Sequence, residues 1–118
     1  MAEKKFIKVS YLDENGNEME TKTVLNEGLA STIFGMISDD YKKRFEAKFT
    51  QLETRRHALR SILNRYEAGT LSFEPKCPYD ILHRQFVHMQ DYYNDMHMRE
   101  KYEGITLFSN FDEEGGQD

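Results

Sequence analysis

Two glycines and two prolines inside a forty-residue stretch constrain this chain more than anything else in it. Residues 66–105 read YEAGTLSFEPKCPYDILHRQFVHMQDYYNDMHMREKYEGI. Gly69 follows a helix-periodic run, at the position where a left-handed residue ends a helix. Pro75 stiffens the connector. Pro78, after Cys77, opens a second helix, because proline in the first turn sacrifices no hydrogen bond. Gly104 then ends that helix. The pattern predicts an antiparallel α-helical hairpin over residues 38–104, its first helix capped by Ser38 or Asp39 with acidic residues in the first turn.

Both helices repeat their apolar positions in alternating steps of four and three, the 3.5-residue period of coiled-coil packing. The first presents Phe45, Phe49, Leu52, Leu59, Ile62 or Leu63, and Tyr66; the second presents Leu82, Phe86, Met89, Tyr93 and Met96, and then reaches Glu100. A hairpin with this connector pairs residues whose numbers sum to about 148. Leu59 then meets Met89, Leu52 meets Met96, and Arg56 meets Tyr93. Arg56 is the polar exception in the seam. It can snorkel, stack on Tyr93, pair with an acid or face a bound anion. Glu100 lies at the open end, where the β-hairpin or a second subunit is expected.

Ahead of the helices, residues 5–25 read as a β-hairpin: KFIKVSYL and EMETKTVL flank Asn15-Gly16, the favoured type I′ turn pair. With that turn, facing numbers sum to 31. Phe6 faces Leu25, Ile7 faces Val24, and Leu12 faces Met19. A two-stranded hairpin is marginal alone, so it is expected to pack on the helices, and residues 105–111 (ITLFSNF) are the candidate third strand. Residues 28–37 form an apolar linker that has room for a helical turn. The expected fold class is therefore α+β, one domain of 118 residues ending in an acidic tail.

Composition narrows the function. Charged residues make up 31% and apolar ones 38%, yet eight Phe and seven Tyr argue against disorder. Few aliphatics and many aromatics mean a thin core, which a homo-oligomer would complete. The net charge of −5 hides a gradient: residues 39–68 carry eight Lys/Arg against five Asp/Glu, and residues 105–118 carry none against four. Neither a strongly basic nucleic-acid binder nor a strong DNA mimic looks like this. The absence of an apolar leader or membrane-length apolar run, with a single Cys77, points to a reducing, cytoplasmic setting.

No catalytic constellation appears. His88, Asp91 and Asp95 share a helix face, but there is no HExxH, paired ExxH or Cys/His cluster, so no metal and no cofactor are expected. Cys77 at a helix start has no base beside it in sequence. Glycine-rich phosphate loops and nucleophile elbows are missing, and the chain reads as a non-enzyme. The run TRRHALRSILNR is the best functional surface. Arg56 and Arg60 lie one turn apart, with Arg55, His57 and Arg65 around the helix. Arginine forks grip phosphate, and Tyr92 and Tyr93 offer stacking rings. The plain alternative is a solvated face balanced by Glu53 and Glu67.

Tyr66, Ala68-Gly69-Thr70-Leu71, Phe73, Pro75, Cys77-Pro78, Leu82, Gln85, Met89, Tyr92, Arg99 and Glu103-Gly104-Ile105 form an unusual string. It resembles a group of small proteins encoded by bacteriophages and prophages, over about forty residues, or sixty with the preceding helix. That pattern has Ala where this chain has Glu100, and it excludes the β-hairpin. The resemblance implies an accessory protein acting in a bacterial host cytoplasm, such as a counter-defence protein that inhibits a host protein or sequesters a cyclic nucleotide. Arg99 joins Arg56, Arg60, Tyr92 and Tyr93 as a candidate contact residue. Two other readings stand beside it: an assembly or replication adaptor, and a nucleic-acid mimic using the acidic tail.

Overall fold

The computed structural model describes residues 3–111; the acidic tail at 112–118, on which the nucleic-acid-mimic reading rests, lies outside the described residues. Strands β1 (Phe6–Leu12) and β2 (Glu18–Leu25) pair antiparallel. Their register follows the expected sum from Phe6 opposite Leu25 to Tyr11 opposite Glu20. Leu12 then faces Glu18 instead of Met19. The turn is the cause. Asp13 Oδ1 accepts the Asn15 and Asn17 N–H groups, both at 2.9 Å, and the Asp13 N–H reaches the Asn17 carbonyl. Gly16 takes φ +88° and Asn15 does not follow it, so the loop is longer than a type I′ turn and Met19 bulges out of β2.

The linker holds a 3₁₀ turn (Gly28–Thr32) that runs into a short helix α1 (Ile33–Met36). Gly35 lets α1 lie directly on α2 (Tyr41–Ala68). A Cβ there would stand 2.8 Å from that of Ala47 and 3.2 Å from the Lys43 carbonyl oxygen. The cap of α2 is Asp40, later than predicted, and both acids precede the first turn. Its side chain accepts the Lys42 N–H at 2.9 Å, while Ser38 Oγ accepts the Asp40 N–H. At the far end Gly69 adopts φ +73° and Thr70 N–H bonds back to the Arg65 carbonyl. Helix α3 (Tyr79–Glu103) starts just after Pro78 and ends at Gly104, φ +69°.

The hairpin of α2 and α3 closes as the seam predicts. Phe45, Phe49 and Leu52 pack with Met96, and Met89 and Tyr93 lie against them. Each large apolar side chain buried in this way contributes about 1.5–3 kcal/mol. Tyr66, expected in the seam, lies half-exposed beside the Tyr79 ring at 5.0 Å.

Two expectations are overturned. Residues 105–111 form no third strand; the sheet of the described residues has two strands. The segment runs instead as a strap across the open end of the helices and drops Ile105 and Leu107 into the core. Its amides go to helix carboxylates: Leu107 N–H donates to Glu100 Oε2 at 2.7 Å, and Asn110 N–H to Glu53 Oε1 at 2.9 Å. Glu100 is thus covered by its own chain rather than by the β-hairpin. Nor does that hairpin pack on the long helices. Ile7 is its one fully buried apolar residue among those described; β2 meets the 3₁₀ turn, and Ile33 at the start of α1 lines a pocket with Val9, Tyr11 and Val24.

Candidate functional site

Along the second half of α2, His57, Arg60, Ser61, Asn64 and Arg65 line a groove of about 280 Å³. Their spacing of three, four, seven and eight residues from His57 puts them on one helix face. His57 is held by the strap, whose Phe111 ring stacks on the imidazole at a 4.0 Å centroid distance and 15°. The groove offers two guanidinium forks, a hydroxyl, a carboxamide and an imidazole. No carboxylate lines it.

The balancing acids named in the sequence are both occupied. Glu53 is buried and accepts the strap amide of Asn110. Glu67 takes the Tyr79 hydroxyl, a bond that raises the tyrosine's pKa. Among the described residues none of Arg55, Arg56, Arg60 and Arg65 makes an ion pair. A row of arginines without local counter-charge is a surface suited to an anion.

Arg56 sits where the seam register placed it. Its guanidinium lies 4.2 Å from the Tyr93 ring centroid and 5.8 Å from that of Phe86, and its Nε donates to Gln90 Oε1 at 2.9 Å. Gln90 in turn donates to Asn94. The stacking is a cation–π contact, and the carboxamide that accepts from Arg56 is neutral. Tyr93 is wedged between this contact and the rings of Phe49 and His97.

The remaining candidates fall elsewhere. Tyr92 is exposed on α3. Arg99 lies at the open end of the hairpin, 4.7 Å from the Phe45 ring centroid, donating to Glu103 and to the Tyr41 hydroxyl. The Glu103 bond raises the Arg99 pKa and, from the other side, lowers that of Glu103. The five candidates therefore divide into an Arg56–Tyr93 stack, a groove containing Arg60, a distant Arg99 clamp and a solvent-facing Tyr92. Ser61 and Asn64 escaped the reading of the sequence; their helical spacing from His57 was the available signal.

Among the described residues no three of His, Cys, Asp and Glu come together as a metal site, and no helix is long and apolar enough to cross a membrane. A family model described as Sequestin matches residues 39–102, more than half of the chain: both long helices and their connector, without the β-hairpin. No curated protein and no solved structure matches.

Proposed function

The chain belongs to the Sequestin family, and from that premise we propose a non-enzymatic protein that sequesters a phosphate-bearing small molecule of the nucleotide class. The observation that carries this reading is the α2 groove, with Arg60 and Arg65 unpaired while Glu53 and Glu67 are committed elsewhere. Phosphate oxygens suit the two forks, and Ser61 and Asn64 supply further hydrogen bonds. The Arg56–Tyr93 stack, which bridges α2 and α3, offers planar surfaces to a base, with Tyr92 next to it on α3. Arg99 serves the scaffold in this reading. The ligand is a cyclic nucleotide signal of host immunity, and the setting is a phage or prophage protein in the bacterial cytoplasm.

The test is a thermal-shift and calorimetric screen of cyclic nucleotides. A ligand at a hundred times its Kd stabilises the fold by about 2.7 kcal/mol. Arg60→Ala with Arg65→Ala should abolish the shift and leave the unliganded transition in place. Ligand recovered after denaturation should be chemically unchanged; a turned-over product would refute sequestration. If no cyclic nucleotide shifts the transition, the nucleotide reading fails.

A protein-binding adaptor is the second reading, favoured by the exposed Met98, Tyr102 and Phe108 at the open end of the helices. It requires a stable complex with a protein and no small ligand.

A further inference from the structure

The N-terminal hairpin is the part of the molecule that its own chain leaves uncovered. Phe6, Tyr11, Leu12 and Met19 are each 58–71% exposed. Strand β1 pairs with β2 on one side; its other edge is paired with no strand among the described residues, and the 3₁₀ turn stands beside β2. An open strand edge presents a row of unpaired amides and carbonyls. β1 carries no proline and no bulge to blunt it.

The total surface is also larger than that of a folded monomer of this mass. The chain exposes 8887 Å², whereas a folded monomer of its mass should expose about 6,700 Å². Setting aside the nine residues outside the description, at about 170 Å² each, leaves about 7,360 Å², against about 6,300 Å² for a folded body of the remaining mass, an excess of roughly 1,000 Å². A stable interface buries about 800 Å² on each partner.

Which strand residues point outward follows from the hydrogen bonds. Lys5 accepts from Asn26 and Asp13 donates to Asn17. Odd-numbered residues of β1 therefore aim their backbone groups at β2. Phe6, Lys8, Ser10 and Leu12 aim theirs away. An incoming strand must pair with those four, which restricts a two-fold antiparallel partner to registers whose numbers have an even sum. A sum of 16 sets Lys8 against Lys8. A sum of 20 sets Phe6 against Glu14. A sum of 18 sets Lys4 against Glu14, Lys5 against Asp13, Phe6 against Leu12, Ile7 against Tyr11 and Lys8 against Ser10, with Val9 on the axis. Opposite charges meet at both ends, and the exposed Phe6 and Leu12 meet just inside them.

We infer that β1 is the interface between two copies of this chain, joined antiparallel about a two-fold axis at Val9 into a four-stranded sheet. The arrangement is closed and isologous, because each copy offers the same strand to the other. It does not depend on the ligand groove, which lies on α2.

Solution mass by light scattering across micromolar concentrations should be twice the 14.0 kDa of one chain. Lys8→Pro removes an N–H that points away from β2, at the kind of edge position where proline is tolerated, and should return the mass to that of one chain with circular dichroism unchanged. Lys4→Glu should weaken the dimer and Glu14→Lys combined with it should restore it. Val9→Cys puts two thiols on the axis at a non-hydrogen-bonded pair, with Cα atoms about 4.5 Å apart. Mild oxidation should give a covalent dimer that Ser10→Cys does not. A monomeric wild type overturns the inference, as does a dimer that survives Lys8→Pro without the Val9→Cys crosslink.

Discussion

Glu100 shows how a carboxylate at the end of an apolar seam is accommodated. Its carboxylate accepts the Leu107 amide and meets His97 Nδ1 at 2.9 Å, and these bonds, the Leu107 amide first, hold its pKa below the ordinary value of 4.5. A carboxylate with a depressed folded pKa contributes stability that is present above its unfolded pKa. That contribution is lost as pH falls through the folded value. Glu100→Gln should therefore cost stability at neutral pH, and the gap between variant and wild type should narrow as pH drops below about 4.5. Urea unfolding at a series of pH values measures it; a gap that stays constant down to the acid limit would show that the charge contributes nothing. Asp13 shares the sign, since the Asn17 amide is the first cause of its lowered pKa. Its effect belongs to the turn rather than to the strap.

At the level of elements, Arg56 joins the two long helices and separates scaffold from site. A methionine matches its length and the apolar rings around it, so Arg56→Met should change the unfolding free energy by less than about 1.5 kcal/mol. If the guanidinium also faces the ligand, nucleotide affinity should fall tenfold or more. Parallel denaturation and calorimetry distinguish the two roles: unchanged affinity would make Arg56 scaffold alone. The helical hairpin was readable because its signals are local. Gly69 and Gly104 mark stops, and Leu52 and Met96 obey one periodicity. The strap was not readable. ITLFSNF has strand-like composition, but its amides are claimed by Glu53 and Glu100, fifty-seven residues away in one case and seven in the other. The turn at Asn15-Gly16 departs from type I′ for a similar reason, because the Asp13 side chain captures the amides of Asn15 and Asn17 and lengthens the loop. Of the candidate site, the Arg56–Tyr93 stack followed from the seam register. The Arg60 groove depended on where Glu53 and Glu67 turned, which helical periodicity does not encode.

Across the whole molecule, the buried cluster draws on α2, α3 and the strap and takes nothing from β1 or β2. Removing the β-hairpin should therefore leave a helical body that unfolds cooperatively and binds the same ligand, while its mass stays at that of a single chain. Loss of helical dichroism in that truncated chain would show that the hairpin belongs to the core after all. The strap has a further consequence. The amides of Leu107 and Asn110 are held by side-chain carboxylates rather than by a backbone ladder, so undocking of the strap releases both without opening α2 or α3. Their hydrogen exchange is a clock for sub-global opening, running faster than the helix amides. Because Phe111 rests on His57, a ligand bound in the α2 groove against that imidazole should slow the same clock, so that its arrival could be timed from the amides of Leu107 and Asn110.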